Sequence, residues 1–283
     1  MSAANGKPGQ GLLGPDSVAW RVIGHPVSLV GGLRSLIIQS LHPLAMAGVA
    51  QHSDYRNRAL DRLRGTAYYV AATTFGDLET AHAAAARVRR IHSQVHGIDP
   101  VTGRPYSADD PDTQLWVHSV EWHSFLAAYR AYGGRRLSAT EEDRYIAEGV
   151  RVAALLGVPE DRVPASVAQM RAYFTSVRPQ LCVTEPAREA IDFVLHPPMT
   201  RELLPLQLPL RLTASAALAI VPSHLRALAG IDRPRIADGL SGAAVRVAAS
   251  ALTLPLLRDI PGRVLGERTH ALGVAARDAP RSA

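Results

Sequence analysis

Apolar residues recur at helical spacing along most of this chain. In the segment 27–40, for example, Leu29, Leu33 and Leu36 fall on one helix face. Sustained alternation of apolar and polar residues, which would indicate strands, is nearly absent. We find no repeat of fixed period and no linker that divides the chain. The pattern therefore predicts an all-α fold, with a single large domain of roughly ten to twelve helices.

Capping residues and helix breakers place the expected boundaries. Asp77 is expected to cap a helix that runs to about His96. Ser138-Ala139-Thr140-Glu141 is a capping-box pattern that opens another helix. A long amphipathic helix is expected over 54–74, and the turn residues of 98–110 predict a loop or short hairpin. Further helices are expected over 15–23, 27–40, 43–50, 112–132, 164–177, 186–195, 201–220, 222–229 and 236–257.

The two ends of the chain differ from the middle. Residues 1–14 are rich in Gly and Pro and are expected to form a disordered lead-in, and 266–283 a flexible tail. The helical domain is then expected over 15–265. No secretory signal is visible, and the most apolar windows are too short or too interrupted for a bilayer span of about 20 residues. We therefore expect a cytoplasmic protein with no transmembrane segment, while peripheral membrane contact stays open.

Composition narrows the classes of function. The net charge is +6, but Lys7 is the single lysine and the arginines are dispersed among acidic residues. Nucleic-acid binders concentrate positive charge on one face, so we expect no specific nucleic-acid partner. Cys182 is the single cysteine, which excludes a disulfide framework and a four-cysteine metal site. Its apolar neighbours indicate a core thiol rather than a nucleophile.

The strongest chemical signal is a concentration of histidines in the first half of the chain. Histidine is the commonest metal ligand, and its charge is easily switched near neutral pH. The surrounding segments otherwise read as Ala, Leu and Val, so the pattern indicates a buried cofactor pocket. Seven of the 11 histidines belong to this group, namely His42, His52, His82, His92, His96, His118 and His123.

Two pairs of residues lie four positions apart within expected helices. His92 and His96 would share one face, where they could bind one metal ion, or one could bind haem iron while the other shapes the pocket. The alternative is that His96 is a polar residue in the last helical turn. Arg62 and Thr66 would present a guanidinium and a hydroxyl to an anionic group such as a haem propionate. The alternative is a solvated arginine with a threonine bonded to its own helix.

Other motifs are weaker or missing. For His118, which follows Trp116 and Val117, the alternative to a functional role is core packing with a hydrogen bond to the backbone. Glu121 has the wrong spacing from His123 for the second Glu-x-x-His of a di-iron site. His-Glu-x-x-His, Gly-x-Gly-x-x-Gly, a phosphate-binding loop and Gly-x-Ser-x-Gly are all absent from the sequence.

The ordered set of segments resembles the family that groups the MpaB oxygenase with the latex clearing protein, known as the rubber oxygenase catalytic domain. Order and spacing over about residues 20 to 180 are more specific than any single piece. The matching pieces are Gln39-Ser40-Leu41-His42-Pro43, Gly48-Val49-Ala50-Gln51-His52-Ser53, Arg62-x-x-x-Thr66, Val88-Arg89-Arg90-Ile91-His92 with Val95-x-Gly97, Tyr106-x-Ala108-x-Asp110-Pro111, Trp116-Val117-His118 and Leu156-Gly157-Val158-Pro159.

The resemblance implies an all-α fold that holds haem b and an iron-dependent oxidation that uses O2. The axial histidine of the family follows a Val-Arg pair, which points to His92 as the iron ligand. The Arg-x-x-x-Thr motif of the family maps onto Arg62 and Thr66, which are then expected to line the haem and to act in catalysis.

The remaining candidates are histidines near these motifs. His118 is expected to act in catalysis or to lie in the pocket wall. His42, His52 and His96 are expected to contact the cofactor or to orient the ligating histidine through its second nitrogen.

Two departures weigh against polyisoprene as the substrate. Latex clearing proteins have a lysine beside the motif threonine, where this chain has Gly65, and no acid occurs in the apolar segment 43–48 upstream of Arg62. The expected substrate is instead a small apolar or aromatic metabolite, with O2 as co-substrate. Two alternatives stay open: a non-catalytic helical protein that binds a ligand or partner, and a non-haem metalloenzyme that uses His92, His96 and His118. The sequence does not indicate an oligomeric state.

Overall fold

The computed structural model describes residues 11–197, 207–232, 235–252 and 264–279. These residues fold almost entirely into helices, which confirms the predicted all-α class. The helices are Val18–Ile23 (α1), Ser28–Gln39 (α2), Pro43–His52 (α3), Ala59–Phe75 (α4), Leu78–His92 (α5), Pro111–Tyr132 (α6), Ala139–Leu155 (α7), Val167–Val177 (α8), Glu185–Leu195 (α9), Gln207–Ala219 (α10), Ser223–Leu228 (α11), Arg235–Ala251 (α12) and Glu267–Asp278 (α13). Two short 3-10 turns, Glu160–Arg162 and Arg178–Gln180, flank α8.

Helix α6 lies at the centre and packs most extensively against α2. The two backbones approach closely at Gly31, where a Cβ atom would lie 2.9 Å from the Cα of Phe125 and 2.9 Å from the carbonyl oxygen of Ser124. Because both neighbours are backbone atoms, a larger residue at Gly31 would push the helices apart. Gly31 therefore fixes the distance between α2 and α6.

Helix α7 is joined to α6 by a reciprocal pair of hydrogen bonds. The indole Nε1 of Trp122 donates to the carbonyl of Tyr145 at 2.8 Å, and the Tyr145 hydroxyl donates to the carbonyl of Trp122 at 3.0 Å. The two rings stack with centroids 5.1 Å apart. This contact holds α7 against α6.

Two apolar cores lie on either half of α6. The first joins α1, the start of α2, α7, α10 and α12, and the second joins the end of α2 with α8, α9, α10 and α11. Burial of these apolar side chains supplies the main driving force for packing. Representative members are Val22, Leu126 and Ile146 in the first core and Ile37, Trp116 and Leu218 in the second.

Several predicted helix starts are confirmed. Ser138 and Glu141 form the expected capping box. Asp77 caps α5 by accepting from the backbone N–H of Thr80 at 2.7 Å. The helix expected over 54–74 begins later, at Ala59, because Asp54 accepts hydrogen bonds that hold the preceding residues in a turn.

The predicted end of α5 is wrong. The helix stops at His92, and the chain turns through a bond from the N–H of Val95 to the carbonyl of His92 at 2.9 Å. His96–Ile98 (β1) then pairs antiparallel with Pro105–Ser107 (β2), so the segment expected to be a loop or hairpin is a hairpin. His92 and His96 therefore do not share a helix face, since strand pairing with Ser107 takes His96 away from the helix.

The chain ends pack more than expected in the described residues. Leu12 and Leu13, within the predicted lead-in, are buried, and the indole Nε1 of Trp20 donates to the carbonyl of Leu13 at 2.9 Å. Helix α13, within the predicted tail, lies against α4, where the Arg268 guanidinium is 4.9 Å from the ring centre of Tyr68. Parts of the helices expected over 201–220 and 236–257 lie outside the described residues.

None of the described helices combines the length and the apolar composition that a bilayer span requires.

Candidate cofactor site

Helix α4 presents a stripe of polar side chains on one face. Arg62, Thr66 and Tyr69 are spaced at i, i+4 and i+7, so they follow one another along the helix. A guanidinium N–H of Arg62 donates to the hydroxyl of Ser53, which ends α3. The buried hydroxyl of Tyr69 has no hydrogen-bond partner among the described residues. This face of α4 therefore carries the Arg62 cation at one end and, at the other, the Tyr69 hydroxyl, which has no hydrogen-bond partner among the described residues.

His92 lies beside this face, in the last turn of α5. Burial lowers the pKa of His92, the charge of Asp109 raises it, and the charge of Arg62 lowers it. The buried Nδ1 atom of His92 has no hydrogen-bond partner in the described part of the chain. The structure thus brings His92 and Arg62 together from two helices, with the carboxylate of Asp109 within electrostatic reach.

Glu121 reaches the same region from α6. Burial raises the pKa of Glu121 to about 7. The pKa of Tyr69 is raised by burial first and then by the charge of Glu121, and the pKa of Tyr145 is raised in the same order. Glu121 therefore lies near the inner end of the α4 stripe, as a carboxyl group that takes up or releases its proton near neutral pH.

Glu121 is the functional candidate that reasoning from sequence missed. The family resemblance directs the search for an acid to the segment 43–48, which contains none. The acid comes instead from a helix that follows His92 in the chain. The sequence did contain a signal for Glu121. It is an acidic residue in a helix segment whose neighbours Trp116, Val120 and Phe125 are apolar and buried.

His118 points to a different neighbour. Its imidazole is hydrogen-bonded to the backbone of Gly149 on α7 and stacks on Trp122 with ring centroids 5.5 Å apart. Burial lowers the pKa of His118 to about 4 despite the opposing effect of this hydrogen bond. The structure thus shows the core packing and backbone hydrogen bond that the sequence allowed as the alternative. These contacts support a positioning role between α6 and α7.

His42 also has a local structural role. It is the N-cap of α3, and its Nδ1 accepts from the backbone N–H of Ala45 at 3.4 Å. Its ring lies 5.6 Å from that of Trp116. Burial lowers the pKa of His42, and a hydrogen bond with the Gln180 side chain raises it. The imidazole of His42 is therefore hydrogen-bonded both to the backbone of Ala45 and to the side chain of Gln180.

His52 and His96 meet at the hairpin. The Nε2 atom of His52 lies 3.2 Å from the backbone carbonyl of His96 and 3.1 Å from the hydroxyl of Tyr106. The Tyr106 hydroxyl donates to Gln51 at 2.8 Å, so His52 is the donor to Tyr106. His96 contributes its backbone here, and its side chain is exposed. The contacts of His52 with His96 and Tyr106 connect the end of α3 to the hairpin that follows α5.

The described residues give no support for the non-haem metal site expected from His92, His96 and His118. No group of three or more His, Cys, Asp or Glu side chains in the described residues could hold a metal ion. His92 ends α5, the His96 side chain is exposed on β1, and His118 is directed to α7. The three histidines therefore do not converge on one point.

The donor set does fit haem b. Haem needs an axial side-chain nitrogen for iron, and cationic side chains suit its carboxylate groups. His92 offers a half-buried imidazole whose buried Nδ1 atom has no partner among the described residues, so a nitrogen is available for iron. Arg62 offers the cation within reach of that imidazole.

Comparisons with known proteins give two findings. The protein family described as ER-bound oxygenase mpaB/B'/Rubber oxygenase, catalytic domain, matches residues 20–253. The solved structure of latex clearing protein LCP in the closed state aligns with a TM-score of 0.54 at 18% sequence identity, covering 94% of this chain and 74% of that chain. At this identity the structural likeness shows a shared fold. No curated protein matches this chain.

Proposed function

Because this chain belongs to the family of MpaB and rubber oxygenase catalytic domains, we propose that it is a haem b-dependent oxygenase that acts with O2 on a small apolar or aromatic metabolite. Family membership supports oxygenase chemistry. The observation that carries the haem assignment is the buried, unpartnered Nδ1 atom of His92 beside the Arg62 guanidinium.

In this proposal His92 is the iron ligand and Arg62 binds a carboxylate of the haem. Thr66 lies one turn after Arg62 on the same face and supplies a hydroxyl for a further polar contact. Bound haem would supply the iron centre at which O2 is activated. His42, His52 and His96 support the site through α3 and the hairpin, and they are expected to act by positioning rather than by contact with iron.

Glu121 is the group that we assign to proton handling. A carboxyl group with a pKa of about 7 exchanges its proton readily at neutral pH, as a general acid or base requires. The hydroxyl of Tyr69, whose pKa is raised by burial and by the charge of Glu121, has no hydrogen-bond partner among the described residues, so it is available to relay a proton. This pair takes the place of the acid that the segment 43–48 lacks.

Open space beside the motif threonine supports the proposed substrate class. At Gly65 a Cβ atom would meet nothing within 4 Å, and Leu63 is 36% exposed on the same helix. An apolar molecule is therefore able to approach the Arg62 face without displacing a side chain. The cytoplasmic location and the absence of a nucleic-acid partner stay predictions.

Titration of the purified full chain with hemin tests the haem assignment. The expected result is a Soret band that saturates at one hemin per chain and shifts on reduction with dithionite. The His92→Ala variant should lose the saturable band, while the His82→Ala variant, which changes an exposed histidine of α5, should keep it. A wild-type spectrum that shows no saturable band would overturn the assignment and favour the non-catalytic, ligand-binding alternative.

A further inference from the structure

A cavity with a volume of about 290 Å³ lies against α6, away from the candidate haem face. His123 lines it, and His123 is two residues from Glu121, about 200° around the helix. The other walls come from α2, α7, α8, α11 and the 3-10 turn that follows α8. None of the described lining residues belongs to α4, α5 or the hairpin, so this cavity is separate from the candidate haem face.

The walls of the cavity combine apolar and cationic side chains. Its volume is at the small end of the range of about 300–1,000 Å³ that is usual for ligand pockets. Arginines are the charged residues in the lining, and none of the described lining residues is acidic. The main apolar members are Ile38, Trp116, Val120, Met170, Phe174 and Leu225, and the arginines are Arg34, Arg130, Arg171 and Arg178.

Arg34 is the feature that requires an explanation. Its side chain is 2% exposed, and burial lowers its pKa to about 10, so it stays cationic at neutral pH. Its Nε donates to the carbonyl of Ile220 at 3.0 Å, and its Nη1 donates to the Ser124 hydroxyl at 2.6 Å. A guanidinium has five N–H donors, and these two bonds leave three. A buried charge without a counter-charge is costly.

The other arginines differ from Arg34. Arg130 is held by both carboxylate oxygens of Glu142 at 2.5 Å, so its charge is neutralised within the protein. Arg171 and Arg178 are exposed, so they lie at the mouth of the cavity. An anion that enters past them would meet Arg34 as the one buried cation of the lining that has no acidic partner in the described residues.

We propose that this cavity binds a small amphipathic carboxylate, with its carboxylate paired to Arg34 and its aryl or alkyl body against the apolar walls. The terminal N–H groups of a guanidinium match the two oxygens of a carboxylate in a bidentate pair. The apolar walls exclude a small, fully hydrated anion, because such an anion would have to be desolvated without enough donors to replace water.

His123 completes the buried end of the cavity without competing for the anion. Its ring meets Phe174 edge-on, with centroids 5.1 Å apart. Burial, together with the charges of Arg34 and Arg130, lowers the pKa of His123 to about 3. The imidazole is therefore neutral, and it leaves Arg34 as the cation that the carboxylate meets.

A matched pair of probes tests this proposal on the unmodified sequence. The probes are 3-phenylpropionate and its neutral analogue 3-phenylpropanamide, which have nearly the same size and shape. Protein labelled with 5-fluorotryptophan reports the location of binding, because Trp116 lines the cavity while Trp20 and Trp122 do not. The acid should shift the Trp116 fluorine resonance saturably and bind about tenfold or more tightly than the amide, since a hydrogen bond to a charged group contributes about 1.5–3 kcal/mol.

Variants of Arg34 give a second test. Arg34→Lys keeps the positive charge but loses the paired N–H donors of the guanidinium. It should weaken binding of the acid by about tenfold and leave binding of the amide unchanged. Arg151→Lys, on an exposed arginine of α7 outside the lining, is the control and should bind the acid as the wild type does. The proposal is overturned if acid and amide bind the wild type equally well, if neither shifts Trp116, or if Arg34→Lys folds and binds the acid normally. The comparison of the two probes stands even if the variant does not fold.

Discussion

Arg62 of α4 and His92 of α5 lie close enough for the guanidinium charge to lower the pKa of the imidazole, although they come from separate helices. A cation beside an imidazole with a buried, unpartnered nitrogen suits a ligand that presents a metal to the histidine and negative charge to the arginine. This relationship leads to the first prediction.

Arg62→Ala should weaken hemin binding by about tenfold, because a charge-assisted hydrogen bond to a carboxylate is lost. The measurement is the dissociation constant from absorbance titration at constant ionic strength. Arg87→Ala, on an exposed arginine of α5, is the matched control and should bind hemin normally. Equal affinities for the two variants would show that Arg62 does not contact the haem.

Glu121 should make stability decrease as pH rises. Its pKa in the folded protein is about 7, against an ordinary value of 4.5, so the folded state holds the proton more tightly than the unfolded state. Stability is then lost as pH rises from about 4.5 to about 7. Glu121→Gln should remove this loss and be more stable than the wild type at pH 8, by on the order of 2–3 kcal/mol. Urea unfolding at pH 4.5 and pH 8 measures the difference in unfolding free energy between Glu121→Gln and the wild type. If this difference is the same at both pH values, the raised pKa of Glu121 is contradicted.

His123 should have the opposite effect at acidic pH. Burial lowers its folded pKa to about 3 from 6.5, so the unfolded state takes up the proton first and stability decreases as pH falls below 6.5. His123→Leu should reduce the slope of unfolding free energy against pH by about 1.4 kcal/mol per pH unit between pH 6 and pH 4.5. The exposed His82, changed to Leu, serves as the control and should leave the slope as in the wild type. If both variants show the wild-type slope, His123 is not buried as described.

Gly31 and Gly32 provide a matched pair for the packing of α2 on α6. A Cβ at Gly31 would meet backbone atoms at 2.9 Å, whereas a Cβ at Gly32 would meet nothing within 4 Å. Gly31→Ala should therefore destabilise the protein by about 1–3 kcal/mol. Gly32→Ala should be neutral or stabilising by up to about 1 kcal/mol, because alanine favours the helix. Thermal unfolding of the two variants checks this, and a Gly31→Ala variant as stable as Gly32→Ala would contradict the close approach.

Local signals in the sequence were sufficient for much of the fold. Periodicity and caps predict the helices and the starts at Asp77 and Ser138, because these depend on residues within one or two turns. The predicted end of α5 is wrong because strand pairing of His96 with Ser107 competes with helix extension. Helical spacing in the sequence does not reveal such pairing across a hairpin. Helix α13 is stabilised by its contact with α4, which local composition does not reveal.

The candidate site was predictable in part. The position of Arg62 beside His92 agrees with the motifs that carry the family resemblance. The direction of His118 toward Gly149 depends on how α7 crosses α6, and the approach of Glu121 to Tyr69 depends on how α4 crosses it. Both relationships are set by helix packing over long separations in the chain, so no local pattern encodes them.

The central claim, that His92 is the axial ligand of a haem, is tested most directly by chemical rescue. His92→Gly removes the imidazole and leaves space for a free one, so this variant mixed with hemin should lack the Soret band of the wild-type complex. Added imidazole should restore that band saturably, and His118→Gly should not respond in this way. A His92→Gly variant that shows the wild-type spectrum without imidazole would contradict the assignment of His92.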